Sequence, residues 1–209
     1  WDDRRELPSR AIDVVNELLD AYPDNLLVMR KLENLYEKAG QMEEYLSILE
    51  RQMNYITHDE DRIRKLHQMA AVWEEHFEKN EKAIECYEAI LEINDKDERA
   101  YQNLARLYRQ EKKWSEYIEV LYRHVYIKHD PKDRVRLFKS AAEVLEKQLN
   151  EPERAIDAYM QILDDEPNDI DALTALSRLF DARQDWDRCL DISKRLVELT
   201  TDQNVKLDL

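Results

Sequence analysis

The sequence predicts an all-α array of paired, antiparallel helices. Three observations carry that prediction. The stretch from 83 to 114 recurs from 155 to 186: Ala83, Ile84, Tyr87, Leu91, Ala100, Leu104, Leu107 and Trp114 meet Ala155, Ile156, Tyr159, Leu163, Ala172, Leu176, Leu179 and Trp186, every pair at a constant offset of 72 (155 − 83). One more step of the same size back from Ala83 reaches Ala11, followed by Ile12, Leu19, Leu32, Leu35 and Tyr36 in the same register. A gapless period is the mark of a repeat array. Within each copy the apolar residues return every three or four positions, the period of an amphipathic helix. Finally, one Gly and five Pro in 209 residues leave little material for hairpins or long loops.

Each element follows in order. Residues 7–22 carry Ile12, Val15, Leu18 and Leu19 at helical spacing, with Pro8 expected in the first turn and Pro23 as the stop. Asp24 is the expected N-cap of the next helix, which carries Val28, Leu32, Leu35 and Tyr36 and closes at Gly40. Residues 42–56 carry Tyr45, Ile48, Leu49 and Met53. A longer helix, 59–78, presents Ile63, Leu66, Met69, Ala70, Trp73 and Phe77, and its partner runs over 81–93. Helices at 96–110 and 113–128 form the next pair. Asp130 and Pro131 open another long helix with Val135, Phe138, Ala142, Leu145 and Leu149, followed by 152–165. The last complete pair is 168–182 and 185–199, and 202–209 is expected to begin a further long helix. The connections are so short that neighbouring helices must run antiparallel.

Equivalent second-helix positions are Ala11, Tyr45, Ala83, Tyr117, Ala155 and Cys189, at alternating offsets of 34 (45 − 11) and 38 (83 − 45). The difference, about one helical turn, goes into the long first helices. No composition break divides the chain, so a single repeat domain over 1–209 is expected, with about five complete pairs and a partial repeat at each end. The chain starts at Trp1 on an unpaired second helix and ends inside a first helix, without polar capping repeats, so a segment of a longer protein is expected.

Composition narrows the function. The formal net charge is −15, which argues against binding to nucleic-acid backbones. Cys86 and Cys189 lie far apart and outside any metal-ligand spacing; buried thiols in a reducing, cytoplasmic setting are expected. No apolar run approaches the ~18 residues of a membrane span. No phosphate loop, metalloprotease motif or nucleophile elbow is present. His124 and His129 are five apart and His67 and His76 nine apart, so neither pair shares a helical face. A non-catalytic chain without a cofactor or metal is expected.

The period and the residue types together resemble the tetratricopeptide repeat family. Leu173, Leu176, Ser177, Phe180 and Cys189 follow Pro167 at the family spacing, Tyr101, Leu104, Ala105 and Tyr108 do so one unit earlier, and Ala155, Tyr159 and Pro167 carry the second-helix part. Tyr45 and Tyr117 depart from it, standing where a small residue is usual. The resemblance implies a right-handed superhelical solenoid whose first helices line a concave, peptide-holding groove. The aromatics Trp73, Tyr87, Tyr108, Trp114, Tyr159, Phe180 and Trp186 read as core packing.

Polar residues between core positions of the first helices would face such a groove. They are Arg30 and Asn34; Arg64, His67 and Gln68; Arg99, Gln102, Asn103 and Arg106; Arg136 and Lys139; and Thr174 and Arg178. This lining is basic and amide-rich within an acidic chain, suited to backbone amides and carboxylates. Some family members hold a C-terminal carboxylate with Lys and Asn from three successive first helices. Arg30, Asn34, Gln68, Arg99 and Asn103 fall at those positions, but only Asn34 is the family's own residue. The competing reading is that these cations only pair with acids along the stack. The expected function is a scaffold binding an acidic or extended protein segment. The alternative is a spacer or self-associating array meeting through its end helices. RNA-binding helical repeats form a third reading, disfavoured by the charge.

Overall fold

The computed structural model describes the backbone of residues 3–207 and the side chains of residues 9–199. The described residues form eleven helices and no strand: α1 (Asp3–Ala21), α2 (Leu26–Ala39), α3 (Met42–Met53), α4 (Asp59–Glu75), α5 (Asn80–Ile93), α6 (Glu98–Gln110), α7 (Trp114–Ile127), α8 (Pro131–Lys147), α9 (Pro152–Asp165), α10 (Ile170–Ala182) and α11 (Trp186–Leu207). The chain divides into two compact units, residues 1–100 and 101–209, with the division inside α6.

In residues 1–100, α2 packs between α1 and α3, and α4 packs against α3 and α5. Met29, Leu32, Leu49, Ala70 and Ile90 are fully enclosed between these helices. In residues 101–209, α8 packs between α7 and α9, and α10 between α9 and α11, around Ile118, Leu145, Ile162, Leu173 and Leu176. Within each unit, no helix pair could bury both flanks of its apolar stripe alone, so the neighbouring helices complete its core.

The reversals between helices recur in the backbone itself. Gly40, Glu78, Lys112, Asn150 and Gln184 all adopt positive φ, between 52° and 72°. Their offsets alternate between 38 (78 − 40) and 34 (112 − 78), the alternation already present in the second-helix positions. At each, a left-handed residue lets the chain fold back while the next amide satisfies an otherwise orphaned helical carbonyl. Gln41 N–H donates to Tyr36 O at 3.0 Å, Lys113 N–H to Tyr108 O at 2.8 Å, and Asp185 N–H to Phe180 O at 3.0 Å. In the longer helices Lys79 N–H reaches Trp73 O and Glu151 N–H reaches Leu145 O, both at 2.8 Å. Only the first of the five positions uses glycine, so the turn is imposed by packing on both sides rather than by local preference.

Several local expectations are corrected. The N-cap of α2 is Asn25, whose Oδ1 accepts from Leu27 N–H at 3.0 Å and Val28 N–H at 3.3 Å; Asp24 lies one residue too early and its carboxylate accepts from the Tyr55 hydroxyl instead. Helix α1 begins at Asp3, placing Pro8 in its second turn. Helix α11 continues unbroken to Leu207, so no new helix starts at 202; without Gly or Pro there, nothing ends it. Residues 208 and 209 lie outside the described residues. Trp186 stands 60% exposed rather than in the core, and Cys189 is half-buried, whereas Cys86 is buried. Burial pushes the Cys86 thiol up to about 11.

Candidate functional site

Residues 1–100 contain an open cleft of about 380 Å³ between α2, α4 and the C-terminal end of α3. Four of the expected lining residues meet there: Arg30 and Asn34 from α2, and Arg64 and Gln68 from α4. Each pair is spaced i, i+4, which puts both side chains on one helical face. Leu26, Glu33, Glu37, Gln52, Ile56, Asp61 and Lys65 complete the walls.

The floor is organised by Glu33. Its carboxylate accepts from Gln52 Nε2 at 2.9 Å, Lys65 Nζ at 2.5 Å and Gln68 Nε2 at 3.5 Å, so it ties α3 and α4 to α2. Glu33 and Lys65 are each 13% exposed, and Gln52 only 1%. A carboxylate this enclosed is stable because a cation and two amides supply what water would have given it. Burial, helped by Glu33 and Glu37, also pushes the neighbouring Tyr45 phenol up to about 12.

Three basic and three acidic residues line the cleft, so it is mixed rather than simply basic. Lys65 is neutralised by Glu33, and Arg64 pairs with Asp61 on its own helix. Arg30 has no acidic partner among the described residues. Gln68 Oε1 is buried there without a hydrogen-bond donor. The cleft therefore offers one uncommitted guanidinium and one acceptor seeking an N–H.

The remaining expected residues are distributed differently. His67 does not line the cleft: its Nε2 sits 3.2 Å from Asp97 Oδ2 and its ring tilts against Tyr87. Asp97 in turn accepts Ala100 N–H at 2.8 Å, fastening the start of α6. The same device recurs one unit further on, where Lys139 Nζ lies 2.7 Å from Asp169 Oδ2 and Asp169 accepts Ala172 N–H at 2.8 Å. Lys139 also reaches Asp171 at 3.1 Å. This recurrence marks His67 and Lys139 as links between successive first helices. Arg136 pairs with Asp133 on its own helix, and Arg178 reaches across to Glu146 at 2.6 Å. Arg106 contacts Asn103 Oδ1 at 3.2 Å and Gln110 Oε1 at 3.5 Å. Arg99 and Gln102 are exposed on α6. Thr174 turns its hydroxyl back to Ile170 O at 2.7 Å.

Gln52 and Ile56 lie outside the first helices and so escape a lining sought on those helices alone, whereas Glu33 is on α2 but is acidic and stands outside the basic and amide residues expected there. A signal for Gln52 existed. It and His124, its equivalent in the next unit, are the two buried polar residues among those described. Among the described residues no helix is long and apolar enough to cross a membrane, and no group of His, Cys, Asp and Glu is arranged to hold a metal ion.

Helix pairs joined by left-handed turns and fastened by recurring side-chain links define a helical-repeat protein. Residues 100–135, across α6 and α7, match the tetratricopeptide repeat family model. The same positions recur from unit to unit along the sequence, which together with that match supports a tetratricopeptide-repeat family. Proteins of this family generally serve as protein-interaction scaffolds and are typically not enzymes. No curated protein matches the chain in sequence. Similar solved structures include the C-terminal part of a TPR repeat-containing protein from Cytophaga hutchinsonii, at 14% identity over 97% of this chain and 78% of that one, TM-score 0.49. MamA from Desulfovibrio magneticus RS-1 is similar at 16% identity over 84% and 95%, TM-score 0.44. YrrB, described as a TPR protein with an unusual peptide-binding site, is similar at 12% identity over 95% and 98%, TM-score 0.43.

Proposed function

We propose that the chain is a non-catalytic scaffold that holds an extended segment of another protein along its first helices, anchored in the cleft of α2, α3 and α4. The observation that carries this reading is the pairing, in one cleft, of an unneutralised Arg30 with a buried acceptor on Gln68 that lacks a donor. A peptide supplies both missing partners: backbone N–H for the amide and a side-chain or terminal carboxylate for the guanidinium. Asn34 adds a further amide at the same wall, and Arg64 a cation shared with Asp61. Arg99 would continue this lining in residues 1–100. Gln102, Asn103, Arg106, Arg136 and Arg178 are the candidate contacts of residues 101–209 taken by themselves, with His67 and Lys139 contributing mainly to the packing of their own units. The preferred ligand is an extended segment bearing an acidic group.

The test is selection from a random peptide library on the purified chain, followed by affinity measurement against Arg30→Glu and Gln68→Leu. Selected peptides rich in Asp or Glu that lose at least about ten-fold in affinity on Arg30→Glu support the reading, since a desolvated charge-assisted bond is worth about 1.5–3 kcal/mol. Peptides that bind Arg30→Glu as tightly as the parent reject the cleft.

A second reading, self-association through an end helix, is favoured by α11. Trp186, Leu190 and Val197 share one face and are largely exposed, although Ile118, which corresponds to Leu190, is fully buried where α8 packs on α7. Sedimentation over a wide concentration range decides it: a dimer weakened by Leu190→Glu supports this reading, and a monomer throughout removes it.

A further inference from the structure

We propose that residues 101–209 carry a second interaction surface, a groove between α7, α8 and α9 that docks a basic amphipathic segment of another protein. Tyr122 and Val125 from α7 and Phe138 from α8 form its apolar floor, and Tyr126 and Met160 stand at its walls around a volume of about 400 Å³. The Tyr122 and Phe138 rings meet edge to face at 5.9 Å, so the floor is packed and preformed. Tyr126 is 88% exposed and Met160 43% exposed.

The repeat supplies its own control. One unit earlier, Glu50, Asn54 and Glu88 stand at the positions of Tyr122, Tyr126 and Met160. The floor position is apolar in both copies, Leu66 and Phe138, and both side chains are buried. Helix packing in this fold thus needs an apolar residue at the Phe138 position but accepts polar residues at the positions of Tyr122, Tyr126 and Met160. A lone exposed apolar residue means little, but three replacing polar counterparts around one depression form a contiguous patch of the kind that marks an interaction site.

Charge selects the occupant. Asp157 lines the groove and has no cationic partner among the described residues. Asp164, in an adjoining depression also lined by Lys128 and Arg134, accepts from the Gln161 amide at 3.2 Å and has no cationic partner among the described residues, Lys128 lying by Asp133. Asp165 beside it is already committed to Arg134. An apolar floor with two uncompensated carboxylates at its edge fits a helix presenting apolar residues at i, i+3 and i+4, flanked by Lys or Arg. The net charge of −15 would speed the approach of such a segment. The groove and the first-helix cleft are built from different residues, so the two proposals stand or fall separately.

The experiment measures fluorescence anisotropy of a labelled synthetic helical peptide with leucines at i, i+3, i+4 and i+7 and lysines between them. Two further peptides replace its lysines by glutamates or its leucines by alanines. The receptor variants are Tyr126→Asn and Met160→Glu, which install residues the other copy already carries, so the fold is expected to persist and is checked by helicity and melting. We expect the leucine–lysine peptide to bind, the double variant to bind it at least ten-fold more weakly, and both control peptides to bind at least ten-fold more weakly. If the double variant melts early, Tyr126→Asn alone, at the most exposed position, is expected to weaken binding at least three-fold. Equal binding by parent and variants, equal binding of the alanine peptide, or no binding at all would overturn the proposal. A parent dimer dispersed by the double variant would also overturn it, by assigning the groove to a second copy of the chain.

Discussion

Glu33→Ala tests the physical basis of the cleft. The substitution leaves Lys65, 13% exposed, without its counterion and Gln52, 1% exposed, without an acceptor for Nε2. A lost bond to a charged group costs about 1.5–3 kcal/mol, and an orphaned buried amide about 1–3 kcal/mol. Lys65 can swing partly into water, so the combined loss is about 3 kcal/mol. For a chain of this length that corresponds to a fall in Tm of roughly 6–12 °C. The repeat suggests the rescue: positions 33 and 65 correspond to Ala105 and Leu137, an apolar pair. Glu33→Ala with Lys65→Leu removes the stranded cation as well as the anion, and should recover about half the loss, leaving mainly the Gln52 amide unpaired. Thermal melting of parent, both single variants and the double variant closes a mutant cycle. The reasoning is refuted if Glu33→Ala costs less than about 1 kcal/mol, or if the double variant is no more stable than Glu33→Ala alone.

Two further outcomes follow from the backbone and from the buried phenols. Gly40 has φ of +72° and nothing within 4 Å of where a Cβ would stand, so Gly40→Ala carries only conformational cost, about 1 kcal/mol and roughly 2–4 °C in Tm. Lys112→Gly, at the equivalent turn, should shift Tm slightly upward; a clear fall there would contradict the account. Burial is the largest cause holding Tyr45 and Tyr159 at about 12, against an ordinary value of 10.0. The folded state thus prefers the neutral phenols, a contribution complete below pH ~10 and lost as pH rises towards ~12. Urea unfolding at several alkaline pH values, with phenolate absorbance followed in parallel, should show this decline, and Tyr159→Phe should flatten part of it. A stability independent of pH across that window would refute it.

Much of the fold was legible because it repeats. A constant offset between copies fixes helix pairs without any propensity scale, and Leu104, Leu107, Leu176 and Leu179 are buried as their period required. What was not legible depended on single atoms. Asn25 rather than Asp24 caps α2 because only its side chain stands in line with the first free amides. Trp186 matches Trp114 in sequence but is exposed, since burial is set by the neighbour a helix meets and not by the residue itself. For the candidate site, the i, i+4 pairs on α2 and α4 placed Arg30, Asn34, Arg64 and Gln68 together. Nothing in their spacing could show that Lys65 and Glu33 neutralise each other beneath them, or that His67 turns away to Asp97.

Comparing a repeat with its own copies separates scaffold from function in this chain. Where copies share both residue character and contact, as in His67–Asp97 and Lys139–Asp169, the side chains fasten one helix to the next. Where the buried frame is kept but the surface character inverts, packing no longer explains the choice. Glu33 stands where Ala105 and Ser177 stand, and turns an ordinary helix contact into a charged hub beneath a polar cleft. Tyr126 stands where Asn54 and Glu198 stand, and turns a solvated rim into an apolar wall. The two departures lie in different units and have opposite chemistry, one a charged hub under a polar cleft and the other an apolar wall beside acidic residues.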